Sequence, residues 1–219
     1  MPTQRIRRRP EEARASILHT AEQLLMAGGP PAVQMRAVAA RLGMTDAGVA
    51  HHFGSRDELL AALLRHGGRR IRDAVTIATE GWLQRGASVQ ELIDAIYSVY
   101  AGGYGELAIA LHAAGWREEG VGMLDGVVDA LHNLRPVSKG RRPSRGSTRL
   151  AVAALHQALA TETAYGAAFR RSAGIAEPDA SRTTPQLKWW ATTIATVLQI
   201  ADGGLPKNPG DSQRRQSSS

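Results

Sequence analysis

The stretch that decides the fold is residues 38–60, which read VAARLGMTDAGVAHHFGSRDELL. Apolar residues recur at helical spacing up to Leu42, and Gly43 then supplies the left-handed residue of a tight turn. Thr45 is a suitable N-cap for a second, short helix, whose apolar residues extend to Phe53. Two short helices joined by a tight turn are the plan of a helix-turn-helix.

The outward side of the second helix would face either solvent or a DNA groove. A helical hairpin that merely packs is the alternative, and charge decides between them. Residues 1–56 carry eight arginines and four acidic residues, whereas residues 57–135 carry seven arginines and eleven acidic residues. Because phosphate contacts dominate affinity for DNA, a basic N-terminal part favours the DNA-binding interpretation.

The rest of the chain predicts an all-α protein of about nine helices. All ten prolines fall between the apolar segments or in a segment's first turn, and no alternating strand pattern appears. We expect a DNA-binding domain with a basic arm over 1–56, a ligand-binding and dimerisation domain over 57–202, and a disordered tail over 203–219. The helical segments are 17–25, 35–42, 45–53, 55–82, 88–99, 105–116, 121–135, 148–172 and 185–201.

Several functional classes are disfavoured. There is no cysteine, so disulfides and thiolate metal sites are excluded. No phosphate-binding glycine loop, nucleophile elbow or paired-histidine motif is present, so an enzyme or a cofactor is not expected, although a helical enzyme can lack motifs. His51 and His52 point about 100° apart on a helix and cannot share one metal ion. No apolar run could span a bilayer and no signal peptide is visible, so a cytoplasmic protein is expected.

The segment His51-His52-Phe53-Gly54-Ser55-Arg56-Asp57-Glu58-Leu59 resembles the signature of the tetracycline-repressor (TetR) family, and the detailed similarity covers residues 12–65. The resemblance implies a homodimeric transcriptional regulator, most simply a repressor released from a palindromic DNA operator by a small-molecule effector. It also implies that a long fourth helix joins the two domains and that the last two long helices form the dimer. A DNA-binding architectural protein without a ligand is the alternative.

The resemblance also assigns DNA contacts. Gln34 and Arg36 would reach a phosphate and a base edge, and Arg56 would hold the DNA backbone. Arg7 and Arg8 would either enter a minor groove or remain in a solvated tail. The groove-facing residues would be Thr45, Asp46, Ala47, Gly48, Ala50, His51 and His52.

This chain departs from the family at two of those positions. Ala50 stands where the family has an aromatic side chain, and Gly48 stands where it often has Thr or Ser. Both departures remove contacts with DNA. Asp46 either accepts a hydrogen bond from a cytosine amino group or simply stabilises the helix N-terminus through the helix dipole.

The ligand-binding part is less defined by sequence. We expect a small, largely apolar effector between the fourth and seventh helices, and either a bend or a weakening of the fourth helix at Gly67-Gly68. The last helix carries a predicted dimer stripe, a row of apolar residues expected to contact the partner subunit. It runs from Trp190 through Ile194 and Val197 to Leu198. The candidate pocket residues are Trp82, Tyr97, Tyr100, Tyr104, His112 and Trp116, and the titratable groups expected to be buried there are Glu106 and His112.

Overall fold

The computed structural model describes residues 10–86, 88–117, 122–137 and 143–200, and these residues form helices and no strand. The predicted all-α class is confirmed. A π-helical turn at Glu162–Gly166 divides the predicted 148–172 helix in two, and another, Tyr100–Tyr104, follows the fifth helix. The helices are α1 (Pro10–Ala32), α2 (Met35–Leu42), α3 (Asp46–Phe53), α4 (Arg56–Arg85), α5 (Val89–Val99), α6 (Gly105–Ala113), α7 (Asp125–Asn133), α8 (Arg145–Thr161), α9 (Ala167–Ser172) and α10 (Thr183–Leu198).

Chain contacts divide the protein into two units, and the first contains the described parts of residues 1–71 and 107–119. Its core is formed by fully buried aliphatic side chains, including Ile17, Val38 and Val49. α4 begins in this unit and continues into the second one, so the functional boundary drawn at residue 56 stays a prediction. No helix of the described residues is long and apolar enough to cross a membrane.

The glycine pair of α4 serves close packing. α4 remains helical through Gly67 and Gly68, so the pair does not interrupt the helix, and a bend of its axis there stays a prediction. A Cβ atom on Gly67 would lie 2.8 Å from Leu111 Cδ1, and one on Gly68 would lie 2.8 Å from Trp116 Nε1. The missing side chains therefore allow α6 and the residues after it to approach α4 closely within the first unit.

The second unit contains the described parts of residues 72–106 and 120–219. Here α10 packs against α5 and α8, and α7 packs against α8. The Ser88–Glu91 capping box predicted at the start of α5 is present, and hydrogen bonds from Ser88 lower the pKa of Glu91. These local signals set where α5 begins.

The predicted dimer stripe on α10 is wrong in part. Ile194 and Leu198 are buried inside their own subunit, and the Leu198 carbonyl accepts a hydrogen bond from Arg135 Nε at 3.1 Å. A single α10 face cannot fill the subunit core and also contact a partner. Of the predicted stripe, Val197 is 56% exposed and Trp190 is half-buried, and Trp189, which the stripe does not include, is also 56% exposed.

Candidate nucleic-acid interface and cavity

The N-terminus of α3 is built as the sequence predicts. Gly43 adopts φ 64° and ψ 31°, the left-handed conformation that a tight turn requires. Thr45 is the N-cap, and its hydroxyl oxygen accepts a hydrogen bond from the Gly48 N–H at 3.0 Å. A Cβ atom on Gly48 would lie 3.3 Å from that oxygen and 3.4 Å from Met44 Cε. Glycine at this position therefore leaves room for both the cap and the Met44 side chain.

The C-terminus of α3 is held by a residue that the sequence analysis missed. The Arg14 guanidinium lies over the Phe53 ring, 4.1 Å from its centroid, and Arg14 Nη1 donates to the backbone carbonyl of His52. A cation is favourable both on an aromatic face and at a helix C-terminus. Arg14 thereby fixes α3 against α1. No sequence signal could show this contact, because 38 positions separate Arg14 from His52.

The predicted groove-facing residues lie together on α3 and its cap, and they differ in exposure. Thr45, Asp46, Ala47 and His51 are exposed. Gly48, Ala50 and His52 are partly buried. The imidazole rings of His51 and His52 meet edge to face with centroids 5.5 Å apart. Apart from His51, the exposed residues of α3 and its cap therefore have small side chains, which leave room for a close approach to a groove.

Two further predicted DNA contacts lie at the start of α2. Arg36 is exposed, and so is Gln34 at the N-cap position. Gln34 Nε2 donates to the Pro31 carbonyl at 3.0 Å, which fixes the direction of its amide. The predicted arm residues Arg7 and Arg8 lie outside the described residues.

Arg56 has a structural role of its own. Its Nε donates to the Val33 carbonyl and its Nη2 to the Pro30 carbonyl, both at 2.8 Å. Nη1 lies 3.4 Å from Asp57 Oδ1. These bonds tie the start of α4 to the segment between α1 and α2. They use much of the donor capacity that a DNA phosphate would need, so the proposed backbone contact of Arg56 remains a prediction.

Comparison with known proteins identifies the family. The model of bacterial regulatory proteins of the tetR family matches residues 17–63. The HTH-type transcriptional repressor Rv3405c of Mycobacterium tuberculosis is 31% identical over 53% of this chain and 76% of the relative, and the regulator Mb3439c of Mycobacterium bovis gives the same values. This chain belongs to the TetR family. It is a DNA-binding transcriptional regulator and not an enzyme.

Solved structures support the fold of this TetR-family protein. The regulatory protein SCO4313 superposes with a TM-score of 0.59 at 17% identity, covering 90% of this chain and all of that one. A structure that describes the control of antibiotic production by bacterial hormones superposes with a TM-score of 0.55, also at 17% identity, covering 85% and 97%. At this identity the likeness shows the fold alone.

The six predicted pocket residues are divided between the two units and differ in burial. Trp82 is fully buried, and its Nε1 donates to the Ser88 carbonyl at 2.8 Å. His112 is exposed, with its ring 4.8 Å from that of Trp116, and both belong to the first unit. Glu106 is exposed too, so the predicted burial of these two titratable groups is wrong.

The three tyrosines lie in the second unit. The Tyr100 hydroxyl and His156 Nδ1 form a buried hydrogen bond of 2.9 Å, and burial raises the pKa of Tyr100 to about 12 and lowers that of His156 to about 4. The half-buried Tyr97 reaches Thr183 Oγ1 at 3.5 Å, and Tyr104 is half-buried. A role of any of them in ligand binding stays a prediction.

A cavity of about 340 Å³ lies between α4 and α7, within the second unit. It lies between the two helices that the sequence predicted, but none of the six predicted side chains lines it. The sequence pattern could have indicated which α4 and α7 positions are apolar, but not that the two helices leave a gap between them. The lining residues are Val75, Thr76, Thr79, Glu80, Leu83, Met123, Gly126, Val127, Asp129, Ala130 and Asn133.

Proposed function

We propose that this TetR-family protein is a cytoplasmic repressor that leaves a palindromic operator when a small molecule binds between α4 and α7. The observation that carries the proposal is the cavity beside α4, because α4 begins directly after the DNA-recognition motif. The relative Rv3405c is named a repressor, which supports the same direction of control.

In the proposed complex α3 enters the major groove with its exposed residues toward the base edges. Arg36 reads a base and Gln34 contacts a phosphate, while Arg7 and Arg8 neutralise further phosphates. Replacing Arg36 with Ala then costs about 1–3 kcal/mol of binding and relaxes the preference at one base position. Arg182→Ala is the control, because Arg182 is exposed and lies on no part of the motif.

A homodimer provides the two-fold symmetry that a palindromic operator needs. The last long helices α8 and α10, together with α9 and the π-helical turn before it, carry large apolar side chains that the described subunit leaves exposed. Burying such side chains at a subunit interface stabilises the dimer. These residues are Leu150 (75% exposed), Phe169 (71%), Tyr165 (46%), Trp189 and Val197. Val197→Asp tests dimer formation through this interface better than Leu198→Asp does, because Leu198 is buried and its replacement would disrupt the subunit core.

The effector acts through α4 in this proposal. α4 is a single helix from Arg56 to Arg85, so a ligand that displaces its C-terminal half changes the orientation of the part that carries the DNA-binding domain. A ligand shifts the equilibrium only by its differential affinity for two states, and coupling of about 1–3 kcal/mol is typical. The expected loss of DNA affinity is therefore roughly 5–150-fold.

A DNA-binding architectural protein without a ligand is the second candidate function. The cavity favours the ligand-responsive regulator, because about 340 Å³ is at the lower end of the size range of small-molecule sites. The two candidates differ in whether an apolar molecule binds there and changes DNA binding.

The test uses tert-butylbenzene as an apolar probe and follows methyl resonances of Val75, Leu83 and Val127 by NMR. Thr76→Trp blocks the cavity from an exposed lining position, and Ile77→Trp is the matched control because Ile77 is 70% exposed and does not line it. We expect saturable shifts in the parent and in the Ile77 variant only. Absence of shifts in all three proteins would favour the architectural candidate.

A further inference from the structure

The cavity between α4 and α7 is apolar along most of its lining, with acidic but no basic side chains among the described lining residues. The apolar part comes from Val75, Leu83, Val127 and neighbouring side chains, which suit a hydrocarbon body. The charged lining residues are Glu80 of α4 and Asp129 of α7. A bound molecule thus meets carboxylates at the same site at which it buries apolar surface.

The two carboxylates are not equivalent. Asp129 Oδ1 forms an ion pair with Arg145 Nη1, and hydrogen bonding to Asp129 raises the pKa of Arg145. Its negative charge is therefore already balanced within the protein. Glu80 is exposed, and no ion pair joins it to a basic residue of the described part of the chain. Glu80 accordingly provides an uncompensated negative charge at the cavity.

The dipole of α7 does not set the sign of the potential, because both ends of this helix lie at the cavity. Gly126 belongs to the first turn of α7 and Asn133 is its last residue, so the positive and the negative helix ends both contribute to the lining. The hydroxyl of Thr79, another lining residue, donates to the Val75 carbonyl at 2.8 Å and so leaves its oxygen able only to accept. The net charge at the cavity therefore comes from the carboxylates, and of these from Glu80.

We propose that the effector of this site is a small cationic amphiphile, an amine or quaternary ammonium compound with an apolar body, an inference that rests on the effector role proposed above. The apolar body lies against the α4 and α7 aliphatic side chains, and the positive group lies beside Glu80. An anionic compound would meet uncompensated negative charge there, and a neutral compound would gain nothing from Glu80. The positive group is the part that the sequence did not suggest, because the sequence predicted only a small, largely apolar effector.

The test compares phenyltrimethylammonium with tert-butylbenzene, which has the same shape and no charge. Both are titrated into the full-length parent protein, Glu80→Gln and Glu106→Gln, with the NMR readout of Val75 and Val127. Glu106→Gln is the matched control because Glu106 is an exposed glutamate outside the cavity lining. We expect Glu80→Gln to weaken binding of the cation roughly two- to fivefold, as for an exposed ion pair, and to leave binding of the neutral probe unchanged.

The outcomes separate this inference from the function proposed above. If neither probe shifts the cavity resonances, the effector cavity itself is refuted. If both probes bind and Glu80→Gln changes neither, the cavity stands and the cationic class is refuted. An equal loss in the Glu106 variant also refutes it, because the effect would then be general charge attraction. Glu80→Lys is expected to weaken the cation more than Glu80→Gln does.

Discussion

Replacing Gly68 with Ala tests the packing of α4 against the segment that follows α6. The new Cβ would lie 2.8 Å from Trp116 Nε1, 2.9 Å from Cε2 and 3.0 Å from Cζ2. Real Cβ atoms do not approach other atoms this closely, so the indole must move away as a rigid ring. Gly67→Ala is milder, because the Leu111 isobutyl group that it meets can change rotamer.

The magnitude follows from two opposing terms. Gly→Ala inside a helix stabilises by about 1 kcal/mol, whereas forcing an extra methyl group into a packed site costs about 1–3 kcal/mol. We expect a net loss of about 1 kcal/mol for Gly68→Ala. Gly81→Ala is the control on the same helix, since its Cβ would meet only the flexible end of Arg85 at 3.3 Å. That variant should be stabilised by up to about 1 kcal/mol.

The assay is urea-induced unfolding of the three proteins, followed by circular dichroism. The free energies of unfolding of the Gly68 and Gly81 variants should differ by roughly 2 kcal/mol, because one variant is expected to be destabilised and the other stabilised by about 1 kcal/mol each. Equal stabilisation of both would show that Trp116 does not pack on Gly68, and the argument that the glycines serve close packing would fail.

Three further predictions concern single side chains. Burial holds the pKa of His156 near 4, below 6.5, so the unfolded chain binds the proton first and stability is lost as the pH falls from about 6.5 to 4. Protonation of this group should lower the free energy of unfolding by an amount on the order of 3 kcal/mol between these two pH values. Urea unfolding at both pH values should show a smaller decrease for His156→Gln than for the parent, and the parent's full decrease for His112→Gln, whose histidine is exposed. Thr45→Ala should lower stability by about 1 kcal/mol while Thr45→Ser preserves it, and equal melting temperatures would contradict the cap. Arg14→Met should weaken DNA binding without changing its salt dependence, because the guanidinium contacts protein; a slope reduced by about 0.9 would instead show a phosphate contact.

Local signals in the sequence were sufficient for the DNA-binding half of the fold. The turn at Gly43 and the Thr45 cap depend on residues within four positions of each other, so their chemistry is visible without a structure. The Ser88–Glu91 capping box is local in the same way. The starts of α3 and α5 and the helix-turn-helix could therefore be predicted, whereas the apolar stripe over 17–25 marked only the middle of α1.

Contacts between distant residues could not be predicted. Gly68 resembles a helix-weakening glycine until Trp116, 48 positions later, is seen beside it. Ile194 and Leu198 form an apolar stripe, but periodicity cannot say whether such a stripe faces the subunit core or a partner. The cavity has the same origin, since its lining joins α4 to a helix about 50 residues away, and aromatic residues were a poor guide to it.

Selection of DNA duplexes from a randomised pool by the purified full-length protein tests the central claim most directly. If two α3 helices of a dimer read two major grooves, the enriched sequences form an inverted repeat with half-site centres about 10–10.5 base pairs apart, or a multiple of that spacing. Arg36→Ala should still enrich the repeat but lose the preference at one position of each half-site. Enrichment of a single unrepeated site, or no enrichment at all, would contradict a dimeric regulator that reads a palindrome through α3.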